Sequence, residues 1–347
     1  MTQQLRLLFG NSRAIQQVLA ESGRYAGTGY PVLILGERGT GKSVLARHIH
    51  NLSGRTGSFV RESAAAIQPN LELSYLMGHI RGSFTGADRD RVGLLESAHG
   101  GTFFLDELGL ASDRVQELLL HLLDGGTIRR MGEVRDRPVD VRFIGATNAN
   151  LAAMADRGAF RRDLLDRFGY LIIRLPGLAG RRDEILPLAD FFLQREAARL
   201  GGVQAVLSDT VRASFMAAPW EGNIRQLESV CVYALLSALA NGGQEIQMCD
   251  LPPDFVVTLG EVLQSRHEQS AGDRAREALA RAGGNKAKAA RLLGISRQQF
   301  YRLLAATGAM ILWATVTCGH LKASAGRNQL HLRIARPVIR TLAQPAT

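Results

Sequence analysis

Residues 31–43 confine this chain to a short list of folds. An apolar run, Pro31-Val32-Leu33-Ile34-Leu35, passes directly into Gly36-Glu37-Arg38-Gly39-Thr40-Gly41-Lys42-Ser43, and residues 44–50 read as a helix. Glycines followed by Lys and Ser at this spacing form a phosphate loop, in which backbone N–H groups and a helix N-terminus face an anion. The strand, loop, helix order that the motif needs is present, so an α/β fold with a parallel sheet is expected. The choice of lysine at position 42 supports the same reading. The chain holds four lysines against 38 arginines, and Lys42 is the only lysine in the first 285 residues. Lys is a compact point charge on a thin stem and Arg a planar fork, so only the first fits inside a loop wrapped around β- and γ-phosphates. The candidate contacts are Gly36, Glu37, Arg38, Gly39, Thr40, Gly41, Lys42 and Ser43, and the implied ligand is a nucleoside triphosphate.

At 347 residues and 46% hydrophobic, the chain can bury a sizeable core divided over two or three domains. The longest apolar run, 230–240, is about half a membrane span. The first residues, MTQQLRLLFGNSR, lack the apolar stretch of a signal peptide. Cys231, Cys249 and Cys318 are odd in number and too far apart for metal spacing, which implies a reduced, cytoplasmic setting. The charge is unevenly placed. Residues 1–272 are close to neutral, whereas 273–308 hold eight basic and two acidic side chains and 309–347 hold five basic and none acidic. A basic C-terminal module behind a neutral nucleotide-binding region is the electrostatic footprint of nucleic-acid binding.

A second motif lies downstream, Gly101-Thr102-Phe103-Phe104-Leu105-Asp106-Glu107. Adjacent carboxylates at the end of an apolar strand divide the work of hydrolysis. Asp106 is expected to hold Mg²⁺ together with Ser43, and Glu107 to act as general base on the attacking water. A third strand, expected over 139–145, ends in Ala146-Thr147-Asn148, which aims Asn148 into the crevice at the carboxyl end of the sheet.

Between the two motifs lies Gly82-Ser83-Phe84-Thr85-Gly86-Ala87. This hexapeptide resembles the GAFTGA surface loop of bacterial enhancer-binding proteins, the AAA+ activators of sigma-54 RNA polymerase. The resemblance extends over residues 7–308. It implies an ATPase with a helical lid, a homo-oligomeric ring, commonly a hexamer, and a partner loop at 82–87. It places Arg161 and Arg167, in Phe160-Arg161-Arg162-Asp163-Leu164-Leu165-Asp166-Arg167-Phe168, as arginines that reach the neighbouring subunit's ATP. It also places Arg225, in Trp220-Glu221-Gly222-Asn223-Ile224-Arg225-Gln226-Leu227, as a lid residue on the nucleotide. Ser63 stands where the family has an Asn that holds the catalytic Glu in an idle state, and its hydroxyl can still bond Glu107. Other departures are Ser43 for an acid, Ser83 for Ala, Arg162 for an acid and Glu221 for Pro. Since the resemblance starts at residue 7, no room is expected for a receiver or sensory domain, and control is expected from expression level or a separate regulatory protein.

In the basic module, an amphipathic helix is expected over 275–282, a second over 286–293 capped by Asn285 and stopped at Gly294, and a third over 297–304 capped by Ser296. This pattern resembles a Fis-type helix-turn-helix. The start of its third helix would place Arg297, Gln298 and Gln299 toward base edges, with Lys286, Lys288, Ser296, Tyr301 and Arg302 completing the DNA-facing set. Leu292, Leu293, Ile295, Phe300, Leu303 and Leu304 are the expected core. The full expectation is an AAA+ α/β subdomain over 1–177, a helical lid over 178–249, a linker over 250–272, an all-α helix-turn-helix over 273–308 and a basic tail over 309–347. The function expected is sigma-54-dependent transcriptional activation driven by ATP. Two alternatives stay open: a DNA-binding AAA+ regulator that does not act through sigma-54, and an AAA+ machine in another DNA process.

Overall fold

The computed structural model describes residues 10, 12–169, 171–202 and 205–306, so the expected tail at 309–347 lies outside the described residues. The chain divides into two compact units, Met1–Phe191 with Trp220–Ser229, and Phe192–Pro219 with the remainder.

The first unit is built on a five-stranded parallel sheet. Its strands are β1 (Val32–Leu35), β2 (Phe59–Ser63), β3 (Thr102–Asp106), β4 (Arg142–Thr147) and β5 (Ile172–Arg174), in spatial order β2-β3-β4-β1-β5. Both faces are covered, which is why β1 reads as an unbroken apolar run. Side chains alternate along each strand. Val32, Ile34, Phe104 and Ile144 pack with Ile15, Leu45 and Ile49 from the helices Arg13–Ala26 and Lys42–Leu52. Leu33, Phe103, Leu105 and Phe143 pack on the other face with Leu119, Leu151 and Leu164. The carboxyl ends of β3, β4 and β1 are thereby neighbours, and they form the edge on which the candidate site is built.

The strand expected over 139–145 instead runs over Arg142–Thr147. Backbone pairing explains the shift. Arg137–Pro138 pairs antiparallel with Thr127–Ile128, and Val139 N–H bonds the Gly126 carbonyl at 2.8 Å, so this stretch closes a hairpin before the sheet begins. The helix predicted over 44–50 spans Lys42–Leu52. Burial holds its His48 and His50 below the ordinary imidazole value of 6.5, and for His50 the nearby Arg47, Arg55 and Arg142 push the same way. Both rings therefore stay neutral in the fold at a pH where the unfolded chain has taken up protons. Stability should be complete above about pH 6.5 and decline as the pH falls below it. A urea midpoint that drops between pH 7.5 and 5.5, and drops less in His50→Gln, is the expected result. A flat profile would remove this account.

Among its described residues, the second unit is helical apart from loops and a two-residue parallel pair, Val206–Leu207 with Glu245–Ile246. Phe215 of the helix Asp209–Ala217 meets Phe255 edge-on at 6.0 Å. Asp250 accepts from Asn241 Nδ2 at 2.9 Å and from Gln247 N–H at 2.9 Å, which holds the short turn Met248–Asp250 against the residue that follows the helix Asn223–Ala240. The segment expected as a linker, 250–272, is mostly helix. Pro253–Arg281 is one continuous helix that also absorbs the one expected over 275–282. With Lys286–Leu292 and Arg297–Ala306 it encloses Ala275, Ala278, Ala282, Ala289, Ala290 and Phe300. Leu292 is a correction: it is 58% exposed and outside this cluster, whereas Leu293, Ile295, Leu303 and Leu304 do pack against it.

Candidate functional site

The phosphate loop leaves β1 after Leu35 and enters its helix through Gly41, at φ 102°, with Gly39 at φ 76°. These are left-handed backbone angles that glycine adopts without a Cβ penalty. Lys42 is buried, and its Nζ donates to the carbonyls of Gly36 and Glu37 at 2.8 and 2.7 Å. Burial holds its ammonium below the ordinary lysine value, against the pull of Asp106 and Glu107 and aided by Arg225 and Arg38. The Thr40 hydroxyl donates to the Glu37 carbonyl at 2.9 Å, and Ser43 lies in the first turn of the helix. Among the described residues, the N–H groups of Gly39, Thr40, Gly41, Lys42 and Ser43 bond no other group. A row of free N–H donors at a helix N-terminus, with a desolvated lysine inside, is a receptor for phosphate.

Asp106 is the last residue of β3 and Glu107 follows it at φ 54°, a left-handed angle uncommon outside glycine. In the β2–β3 register Ser63 stands beside Asp106. The Ser63 hydroxyl donates to Glu107 Oε2 at 3.0 Å, as its position suggested. Arg38 Nη2 lies 3.7 Å from Glu107 Oε1, and Arg61 Nη2 3.3 Å from Asp106 Oδ2. Both carboxylates thus rest against cations of the chain itself. Asn148 is exposed one residue beyond β4, at the same edge of the sheet as Gly36 because Leu35 pairs with Thr147. Arg225 is exposed, and its Cβ lies 3.2 Å from where a Cβ on Gly39 would be. The fold therefore gathers 36–43, Ser63, Asp106, Glu107, Asn148 and Arg225 in one region.

Arg161 and Arg167 are held elsewhere. Arg161 forms a two-point pair with Asp163, at 3.1 and 2.7 Å, and Arg167 Nε is 2.8 Å from Asp124. Both are partly exposed, and among the described residues neither pairs with the phosphate loop or the acids. Glu37 also departs from expectation, because its carboxylate is taken by Asn223 Nδ2 at 2.9 Å. Asn223 carries no charge or spacing that would mark it in the sequence.

The Gly82–Ala87 loop is a closed turn. Gly82 N–H bonds the Ala87 carbonyl at 2.9 Å and Ala87 N–H the Phe84 carbonyl at 3.0 Å. Thr85 is exposed, but Phe84 is half-buried, its ring edge-on to His79 with centroids 5.0 Å apart. Ser83 packs under Gly132, where a Cβ would come within 2.7 Å of the Ser83 Cβ.

In the basic module Lys286, Lys288, Ser296, Arg297, Gln298, Gln299, Tyr301 and Arg302 are all exposed. Gln299 is committed to a capping box: its Oε1 accepts from Ser296 N–H and hydroxyl, both at 3.1 Å, and its own N–H bonds the Ser296 hydroxyl at 3.2 Å. That leaves Arg297 and Gln298 as the unencumbered side chains at the start of the helix. Lys286 Nζ sits 5.1 Å from the centre of the Tyr301 ring.

Comparison with known proteins accounts for the combination. Residues 8–174 match the Sigma-54 interaction domain, 179–267 an AAA+ ATPase lid domain, and 276–306 the Bacterial regulatory protein, Fis family. The chain is 34% identical over 316 residues to the Psp operon transcriptional activator of Escherichia coli, covering 86% of this chain and 96% of that protein. The chain belongs to the sigma-54-dependent activator family. Within this family it is also 37% identical over 322 residues to the Nitric oxide reductase transcription regulator NorR2 of Cupriavidus necator, covering 85% of this chain and 62% of that one. The fold is that of the family as well. A crystal structure of NtrX from Brucella abortus in complex with ATP matches with a TM-score of 0.63 at 31% identity, covering 86% of this chain and 68% of that one. The AAA+ lid match runs to residue 267, through most of the segment expected as a linker. No helix among the described residues is long and apolar enough to cross a membrane.

Proposed function

We propose that this activator binds ATP with Mg²⁺, hydrolyses it in a ring of its own copies, and uses the cycle to convert sigma-54 RNA polymerase at a promoter into an open complex, acting in the cytoplasm from an upstream DNA site. The observation that carries this reading is one domain holding both a phosphate loop with unpaired N–H donors and a closed Gly82–Ala87 turn that presents Thr85. Lys42 exchanges its two loop carbonyls for β- and γ-phosphate oxygens. One carboxylate and one hydroxyl, Asp106 and Ser43, suit a Mg²⁺ ion that keeps most of its waters and shares the phosphates. Held there by Asp106 and Ser43, such an ion would supply positive charge to offset that on the transferring phosphoryl group. Glu107 must leave Ser63 to take a proton from the attacking water, so Ser63 restrains basal turnover. Asn148 and Arg225 flank the γ-phosphate, and Arg297 and Gln298 read the DNA site.

Arg161 and Arg167 complete a neighbour's site, which accounts for the exposure of both; each must first part from its own acid, Asp163 or Asp124. Exposed pairs of this kind are worth only about 0–1 kcal/mol, so an incoming phosphate outcompetes them. ATPase activity per subunit should then rise with protein concentration, and a hexameric ring is the expected active form. Mixing Arg167→Ala with Lys42→Ala, each inactive alone, should restore part of the activity, because each supplies what the other lacks. A rate independent of concentration, with no rescue on mixing, would mean that the site is complete within one chain.

The direct test is a promoter-opening assay with sigma-54 polymerase and the parent chain, with ATP, with a non-hydrolysable analogue, and with no nucleotide. Opening with ATP alone is expected. Opening by an analogue, or opening of promoters served by other sigma factors, would favour a DNA-binding regulator that does not remodel sigma-54.

A further inference from the structure

Two buried side chains outside the nucleotide set grip the phosphate loop from behind. Asn223 is 1% exposed, with a left-handed φ of 55°. Its Nδ2 donates to Glu37 Oε2 at 2.9 Å and to the Arg38 carbonyl at 3.0 Å, and its Oδ1 accepts from Leu178 N–H at 2.6 Å. One amide therefore joins three stretches of chain: the phosphate loop, the segment after β5 and the start of the helix Asn223–Ala240 that carries Arg225. Arg181, also 1% exposed, donates from Nη2 to the Thr40 carbonyl at 2.9 Å. Its Nη1 lies 3.3 Å from Glu184 Oε2, and Glu184 Oε1 accepts from Ser12 N–H at 3.2 Å. There is little slack in this arrangement. A Cβ on Gly177 would come within 3.0 Å of both Asn223 Oδ1 and Glu37 Oε2, and one on Gly39 within 2.3 Å of the Gly222 carbonyl.

In a planar trans peptide the carbonyl of one residue and the N–H of the next point in opposite directions. Holding the Arg38 carbonyl on Asn223 therefore turns the Gly39 N–H away from Asn223. Holding the Thr40 carbonyl on Arg181 does the same for the Gly41 N–H. Neither N–H bonds another group among the described residues. We infer that Asn223 and Arg181 are positioning residues that preset these two peptide units for phosphate, and that Glu37 is an anchor for Asn223 and not a phosphate ligand. Drawing the Glu37 carboxylate onto Asn223 also keeps a negative charge turned from the anion. Without either grip the glycine-flanked peptides are free to flip, which exchanges an N–H donor for a carbonyl oxygen facing phosphate. This inference rests on the reading of the chain as an ATPase.

The test uses the full chain, with the dissociation constant of a fluorescent ATP analogue, KM, kcat and Tm measured on the same preparations. Asn223→Asp sets a carboxylate against Glu37 and the Arg38 carbonyl. Since the loop N–H groups already meet phosphate in the ground state, Kd and KM should rise by about tenfold or more while kcat falls less than about threefold. In a Glu37→Gln background the same change should cost at least about threefold less, because the amide at 37 can donate to the new carboxylate. Arg181→Lys keeps the charge beside Glu184 but shortens the reach to Thr40, and should raise KM more than it lowers kcat. A folded Asn223→Asp or Arg181→Lys with the parent's nucleotide affinity, or a Glu37→Gln background that makes no difference, would overturn the assignment. Should Asn223→Asp fail to fold, the double variant should still fold and bind, and its failure too would overturn the pairing. A parent chain that binds no ATP would instead sink the ATPase reading itself.

Discussion

Glu107→Gln should bind ATP as the parent does and hydrolyse it about 10²–10⁴-fold more slowly, the range that a positioned general base supplies. Lys42→Ala should fail at the earlier step, with nucleotide affinity reduced by about 100-fold or more because its ammonium meets phosphate in the ground state. The contrast follows from where each side chain is held. Lys42 is already inside the loop, bonded to the Gly36 and Glu37 carbonyls, and only a ligand's oxygens can replace those partners. Glu107 is outside the loop, tethered to Ser63, and has no ground-state contact to lose. Ser63→Ala should accordingly raise basal turnover with KM little changed. The measurements are equilibrium binding and single-turnover hydrolysis on the same samples. A Glu107→Gln variant that turns over at the parent rate would assign the base elsewhere.

Thr85→Ala should leave ATP hydrolysis and DNA binding near parent levels and abolish promoter opening. Thr85 stands exposed at the tip of a turn closed by the Gly82–Ala87 and Ala87–Phe84 backbone bonds, and it contributes nothing to the nucleotide cluster. Its loss therefore removes a contact without disturbing the turn that carries it. The converse variant is Arg297→Ala with Gln298→Ala. It should lose site-specific DNA binding and yet still activate at high protein concentration, because the DNA module supplies local concentration and mass action can replace that. Promoter opening and ATPase rates measured side by side decide the matter. If Thr85→Ala opens the promoter as the parent does, the partner-loop assignment fails, and a regulator working through DNA contact alone becomes the better account.

Much of this protein is written locally, and that part was legible in its residues. A phosphate loop needs a strand, glycines and a helix start within about fifteen residues, and all of these are consecutive. The Asp106-Glu107 pair, the Gly82–Ala87 turn and the capped helices after Asn285 and Ser296 are equally local. Their physics involves neighbours a few positions apart, so one sequence suffices to place them.

What the tertiary structure decided is the set of partners. Ser63 meets Glu107 because the parallel register of β2 and β3 sets Ser63 beside Asp106. Asn223 meets Glu37 across 186 positions, a pairing that no periodicity encodes. Competition for hydrogen bonds moved the start of β4 to Arg142, since Val139 is committed to the Gly126 carbonyl. It also drew Gln299 into the cap of its own helix. Leu292, apolar and at a plausible core spacing, faces solvent because a small three-helix core is already filled by alanines around Phe300. Sequence determined which chemistry the chain carries, because motifs are short-range. The fold determined which group restrains which, because a buried polar atom must be satisfied by whatever the packing brings within reach.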